Sequence, residues 1–125
     1  MLAKVVDASV IAAWIFRESQ ASEAAAVLKG AEIYAPALLA YELTSIARRK
    51  IKDHPESKTS IEEALKTALA TPIHWIEIDH PGVLTLALKA DLSTYDACYL
   101  FLARSLGVPL VTFDKKLSSA AATGY

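Results

Sequence analysis

The chain has 125 residues, 54% of them hydrophobic and 22% charged, with a formal net charge of −1 at pH 7. This composition excludes a disordered or fibrous chain and predicts one globular domain, residues 1–125, whose core needs no disulfide or structural metal. A membrane helix needs roughly 18–20 apolar residues in a row, and charges such as Lys4, Asp7 and Arg17 interrupt the N-terminal apolar stretch.

The predicted elements alternate between strands and helices. Two short apolar runs rich in β-branched residues, Leu2–Val6 and Val108–Phe113, predict buried strands, and shorter strands are expected at Glu32–Ala35 and Trp75–Ile78. Apolar periodicity and capping residues predict a first helix beginning near Val10 and then Ala21–Lys29, Ala37–Lys52, Ser60–Ala70, Val83–Lys89 and Tyr95–Leu106. The polar stretch Asp53–Lys58 is predicted as a surface loop. This order indicates an α/β fold with a largely parallel sheet.

Two carboxylates follow directly after predicted strands. Asp7 ends the first apolar run, and Asp114 ends the last one. Parallel α/β sheets bind ligands beyond the carboxyl ends of their strands, where loops and helix N-termini converge, so both acids are candidate site residues. Each also has an ordinary structural interpretation. Asp7 suits the N-cap of the following helix, and Asp114 suits a turn before Lys115 and Lys116.

Two further acids lie on predicted helices. Ser93–Asp96 matches a capping box, in which the acidic side chain returns to the N-cap amide, and an acid in the first helical turn also points toward the same edge of the sheet. Glu42 shares one helix face with Leu38 and Ile46, where burying an unpaired carboxylate costs on the order of several kcal/mol. Glu42 therefore needs a cation or donor network, and an ion pair with Arg49 is the structural alternative to a metal site.

Taken together, the four acids predict a metal centre. Carboxylates gathered at one edge repel each other unless a hard cation neutralises them, and Mg²⁺ or Mn²⁺ prefers oxygen ligands. A site of this kind activates water for attack on a phosphodiester and stabilises the departing oxygen. Hydroxyls that could orient water or phosphate stand two residues from three of the acids, although capping or core packing is their commoner role. These hydroxyls belong to Ser9, Thr94 and Thr112.

Basic residues supply candidate contacts to nucleic-acid phosphate despite the near-neutral total charge. They form two groups, Arg48–Lys52 and Lys115–Lys116, and each group is also compatible with an ordinary solvated surface.

The remaining residues that often carry chemistry are not expected to do so here. The three histidines, His54, His74 and His80, lack the paired spacing of zinc ligands. Cys98 is the single cysteine and cannot form an intrachain disulfide, which fits a cytoplasmic protein. Its apolar helical neighbours predict a buried, inert thiol.

The segments around the four acids resemble the PIN-domain nucleases. The matching segments are Val5–Val10, Glu42 in the helix that follows Pro36, Leu92–Ala97 and Val111–Leu117. The resemblance runs from the first predicted strand to the last, and the short single-domain form is similar to the VapC toxins of type II toxin–antitoxin pairs. Residues 52–75 match no motif of the family.

This resemblance implies roles for individual residues. Asp7, Glu42, Asp96 and Asp114 would be metal ligands, with Ser9 and Thr112 as supporting hydroxyls. It also implies a three-layer fold with a five-stranded, mostly parallel sheet, Mg²⁺- or Mn²⁺-dependent endoribonuclease activity, a homodimer and a cognate antitoxin.

Two other functions fit parts of the same pattern. A catalytically silent domain that binds RNA or a protein would have little use for four mutually repelling carboxylates. A phosphoacceptor domain would use Asp7 with Lys115 but leaves Glu42 and Asp96 unexplained. A divalent-dependent RNA cleavage assay and a phosphoryl-donor assay separate the three functions.

Overall fold

The computed structural model describes residues 2–124 of the chain. Four strands are present, β1 (Leu2–Val6), β2 (Ala31–Pro36), β3 (Ile73–Ile76) and β4 (Leu110–Val111). The helices are α1 (Ala8–Ile15), α2 (Ala21–Leu28), α3 (Leu38–Asp53), α4 (Lys58–Ala70), α5 (His80–Ala90), α6 (Thr94–Leu106) and α7 (Lys115–Ala122). A short 3-10 turn at Pro55–Ser57 joins α3 to α4 where the sequence predicts a loop.

The four strands form one parallel sheet in the order β3-β2-β1-β4. β1 pairs with β2 from Leu2 opposite Ala31 onward, and its last two residues pair with β4. The α/β class and the parallel sheet flanked by helices are therefore confirmed. The expectation of five strands is wrong for residues 2–124, because the chain turns helical four residues after β4 and provides no further extended segment beside it.

β4 is shorter than the predicted strand Val108–Phe113. Pro109 has no N–H to donate, although its carbonyl accepts the Val5 N–H at 3.0 Å. At the other end, the N–H of Phe113 bonds to the Ser9 hydroxyl at 2.9 Å instead of to a neighbouring strand. The Val108 N–H also turns away from the sheet and bonds to the Ala103 carbonyl at 3.0 Å, so the regular strand is limited to Leu110–Val111.

The core forms where helices cover the sheet. α6 packs against β1 and β2, with α5 and α7 against α6, and α3 contacts β2, α1 and α4. The end of β1 is fully buried at Val5 and Val6, as expected for the interior of a parallel sheet. No helix among residues 2–124 combines the length and the apolar character required to cross a bilayer.

We expect Leu43→Ala to lower the free energy of unfolding by about 2–5 kcal/mol, because it removes a fully buried side chain of α3 and leaves a cavity. Leu2→Ala is the matched control. Leu2 is 74% exposed, so the same substitution there should change stability by less than about 0.5 kcal/mol. Urea unfolding followed by circular dichroism measures both. Equal effects would contradict the difference in burial between Leu43 and Leu2.

Candidate active site

Asp7 lies directly after β1 and caps the N-terminus of α1. Its backbone is extended, and its Oδ1 accepts the N–H of Ser9 at 3.1 Å. It is the one charged side chain that is buried among residues 2–124, with 6% of its surface exposed. The structural role predicted for Asp7 as an N-cap is therefore present, and the same carboxylate also lies at the carboxyl edge of the sheet.

Two hydroxyl groups orient the Asp7 carboxylate. Ser9 Oγ donates to Oδ1 at 2.6 Å, and Thr112 Oγ1 donates to Oδ2 at 2.5 Å. Each hydroxyl also accepts a backbone N–H from the loop after β4, Ser9 from Phe113 at 2.9 Å and Thr112 from Asp114 at 3.0 Å. Asp7 is thereby connected to the loop that carries Asp114, across the short pairing of β1 with β4.

Asp114 is exposed and caps α7. Its Oδ2 accepts the N–H of Leu117 at 2.8 Å. The sequence predicts a turn residue at Asp114 and no helix after it, so α7 is an element that the sequence analysis missed. The available signal was the spacing of Asp114 from Leu117, which is typical of an N-cap that bonds the third residue of its helix.

Glu42 lies in the second turn of α3 and is half-buried. The Tyr99 hydroxyl donates a hydrogen bond to its Oε1. The alternative of an ion pair with Arg49 is wrong, since no such pair occurs among the salt bridges of residues 2–124. Tyr99 was not identified from the sequence. Its position three residues after Asp96 places the two on one side of α6, but only the packing of α6 against α3 reveals its partner.

Asp96 lies in the first turn of α6, where half of the predicted capping box forms. Ser93 Oγ accepts the N–H of Asp96 at 3.0 Å. The reciprocal bond, from the Ser93 backbone N–H to the Asp96 carboxylate, is absent from the described part of the chain, so this carboxylate is not held by the cap. Thr94 begins α6, and its hydroxyl bonds none of the four acids within residues 2–124.

Three of the acids influence one another electrostatically. Burial raises the pKa of Asp7, against the lowering effect of the bonds from Ser9 and Thr112. Burial also raises the pKa of Glu42, and the charges of Asp7 and Asp96 add to this effect while the Tyr99 bond opposes it.

The pKa of Asp96 is raised first by burial and then by the charges of Asp114 and Asp7, with Lys116 acting in the opposite direction. The fold therefore brings the four predicted acids into one neighbourhood, although they come from four separate parts of the sequence.

Comparison with known proteins identifies the family. Residues 4–122 match the family model described as the PIN domain. This chain belongs to the PIN-domain family. The domain is 34% identical to Ribonuclease VapC3 of Pyrobaculum aerophilum over 119 residues, which covers 91% of each chain. Its fold is similar to that of PAE2754 from Pyrobaculum aerophilum, a crystal structure with a TM-score of 0.76 and 23% sequence identity that covers 99% of this chain and 90% of that one. The family resemblance drawn from the acidic segments is confirmed.

The four acids of this PIN domain fit a hard divalent cation in their chemistry, because all are carboxylates and three are partly or fully buried. Their spacing does not yet form a coordination shell. Among residues 2–124, no three His, Cys, Asp or Glu side chains are arranged so that they could hold a metal ion. Binding a cation to three of the acids therefore requires side-chain rotation.

Two open grooves flank the acids of the PIN domain. One of about 470 Å³ runs between α3 and α6, past Glu42 and Tyr95. The other, of about 370 Å³, passes Ser9 and Asp114. Arg49 lines both grooves, so a guanidinium group lies on either approach to the acids.

The histidines and the cysteine are not among the acids of this cluster. His54 pairs with Glu56 at 3.4 Å and His74 with Glu32 at 3.5 Å, while His80 begins α5. Cys98 is buried, as predicted, and its burial raises the pKa of the thiol. A raised pKa keeps the sulfur protonated and unreactive near neutral pH.

Proposed function

We propose that this chain, as a single PIN domain spanning residues 1–125, is a divalent-metal-dependent endoribonuclease and the toxin of a VapC-type toxin–antitoxin pair. The observation that carries the proposal is Asp7, a buried carboxylate with both oxygens oriented by hydroxyls beside Glu42 and Asp96. Grouping carboxylates in this way costs folding free energy, so it indicates a functional site rather than a stabilising one. The relative named as a ribonuclease supports RNA as the substrate.

We propose that Asp7, Glu42, Asp96 and Asp114 would hold Mg²⁺ or Mn²⁺. A bound cation of this type supplies an activated water and neutralises charge on the phosphodiester. Asp7 and Glu42 are already oriented by hydroxyl donors. The Asp96 carboxylate accepts no hydrogen bond within residues 2–124, so its rotation toward the other acids breaks no hydrogen bond among these residues.

The basic residues near the acids would bind the RNA backbone. A phosphate approaching a cluster of carboxylates is repelled unless fixed cations offset that charge. Arg49 lines the grooves on both sides, and Lys116 lies close enough to lower the pKa of Asp96. We propose that these cations hold the phosphates that flank the bond to be cleaved, with Ser9 and Thr112 keeping Asp7 in place beneath it.

We further propose that the chain acts in the cytoplasm as a homodimer with a cognate antitoxin. Leu84 and Leu88 of α5 are 54% and 77% exposed, and Tyr95 of α6 is 63% exposed. Large apolar side chains exposed together are typical of protein–protein interfaces, which supports a second copy on this face. The family resemblance supports the antitoxin.

A catalytically silent module that binds RNA or a protein is the second candidate. The observation in its favour is that no three candidate ligands within residues 2–124 converge on a metal position. The two candidates differ in whether a divalent cation stabilises the folded chain.

We expect millimolar Mg²⁺ or Mn²⁺ to raise the melting temperature of the wild type, because only the folded chain brings the ligands together. At ten times the dissociation constant, this stabilisation is about 1.4 kcal/mol, or about 5 °C for a domain of this size. Glu42→Gln should lose most of the rise, and Glu62→Gln on the exposed face of α4 should keep it. Thermal melts with chelator and with each cation measure this. No rise in the wild type would favour the silent module.

A further inference from the structure

Tyr99 connects the hydrophobic core to the acidic cluster. Its side chain is only 1% exposed, and its hydroxyl donates to Oε1 of Glu42 on the neighbouring helix. A buried phenol needs a hydrogen-bond partner, and a carboxylate is the strongest acceptor available to it. Within residues 2–124, this is the one hydrogen bond that the Glu42 carboxylate receives.

Glu42 has a physical reason to leave the cluster. It is half-buried, it carries no ion pair within the described residues, and the charges of Asp7 and Asp96 repel it. A glutamate has three rotatable torsions and could turn its charge toward solvent through the groove beside Tyr41 and Tyr95. Tyr99 has two torsions, both confined by close packing in the core. The rigid Tyr99 side chain therefore restrains the flexible Glu42 side chain.

We propose that Tyr99 is a positioning residue for Glu42. The Tyr99 hydroxyl donates to Oε1 of Glu42 and so keeps this carboxylate beside Asp7 and Asp96. The other oxygen, Oε2, is left for a divalent cation. Tyr99 contacts neither the cation nor RNA and acts only through Glu42. This inference rests on the proposed function, since it assigns a supporting residue to the same site.

The test compares two tyrosine-to-phenylalanine variants. Tyr99→Phe removes the hydroxyl and preserves the ring. Tyr34→Phe is the matched control, because the Tyr34 hydroxyl also donates to a glutamate, Glu32, at 2.5 Å, and this pair lies outside the acidic cluster. Melting temperatures are measured across a Mn²⁺ titration, and kcat and KM are measured for a labelled single-stranded RNA.

For Tyr99→Phe we expect the Mn²⁺ concentration at half of the melting-temperature rise to increase by about 10-fold or more, the usual effect of removing a group that orients a metal ligand. The kcat should fall by about the same factor, with KM for RNA changed by less than about twofold. The Tyr34→Phe variant should match the wild type in both measurements.

Four outcomes would overturn the inference. A lower melting temperature of Tyr99→Phe in chelator with an unchanged Mn²⁺ midpoint would show a purely structural hydrogen bond. An equal shift of the Mn²⁺ midpoint in Tyr99→Phe and Tyr34→Phe would show that the shift does not depend on the contact between Tyr99 and Glu42. A wild type that binds no cation would overturn the proposed function as well, whereas a responsive wild type with a normal Tyr99→Phe would overturn only the role of Tyr99.

If Tyr99→Phe does not fold, the wild type provides the test. Tyrosines labelled with ¹³C at Cζ are followed by NMR during a Mg²⁺ titration, and Tyr99 is assigned after single phenylalanine variants at the other tyrosines. The chemical shift of Tyr99 should change during the titration, with the same Mg²⁺ midpoint as the melting-temperature rise. The chemical shift of Tyr34 should stay constant. A Tyr99 resonance that does not move would overturn the inference.

Discussion

Asp7→Asn is expected to abolish divalent-dependent RNA cleavage while the chain keeps its fold. The substitution removes the one charged side chain that is buried among residues 2–124, and the loss of a metal ligand costs several kcal/mol of transition-state stabilisation, or at least about 10³-fold in rate. Asparagine retains the ability to cap α1. Cleavage of a labelled RNA in Mg²⁺ measures the activity, and circular dichroism checks the fold.

Asp79→Asn is the matched control for this prediction. Asp79 caps α5 by accepting the N–H of Gly82 at 3.3 Å and takes no part in the acidic cluster. The Asp79→Asn variant should therefore keep the RNA cleavage activity of the wild type. Full activity of Asp7→Asn would remove Asp7 from the site.

In chelator, Asp7→Asn should be as stable as the wild type, or about 1 kcal/mol more stable at neutral pH, since it removes one repelling charge. Burial raises the pKa of Asp7 above 3.8 in the folded chain. The folded wild type therefore binds this proton more tightly than the unfolded chain, and it loses stability as the pH rises from about 3.8 through the raised pKa. The advantage of Asp7→Asn should thus be larger at pH 7 than at pH 4, as measured by urea unfolding.

Expression of the wild-type chain in a host cell is expected to arrest growth, and co-expression of an adjacent small gene should restore it. An antitoxin tail that folds on binding could lie along one of the grooves beside the acids and place an arginine against them. Colony counts under inducible expression measure the arrest, and co-purification measures the complex.

Asp7→Asn is the control for toxicity. Arrest by this variant would show that the toxicity comes from something other than the acidic cluster. A harmless wild type would favour a housekeeping nuclease or a binding module over a toxin.

The order of elements was visible in the sequence because it follows from local patterns. The predicted strands match β1 and β2 to within a residue at each end, and β3 to within two. The periodicity and caps predicted α2, α3 and α6 to within a residue at each end. The last strand is shorter than predicted because a contact distant in sequence, between Ser9 and the loop after β4, takes the N–H of Phe113. The missed helix α7 had a local signal, the N-cap Asp114, which the sequence prediction assigned to a turn.

The candidate site divides in the same way. The sequence by itself determined the local positions of three of the four acids, Asp7 and Asp114 after strands and Asp96 at the start of a helix, since an N-cap such as Asp7 or Asp114 bonds an amide within three residues. Only the tertiary structure decided that Thr112 holds Asp7 across 105 positions and that Tyr99, rather than Arg49, holds Glu42 across 57. Such bonds depend on the register of parallel strands and on the rotation of packed helices. Those quantities are set by the packing of the whole core, and local patterns along the chain do not encode them.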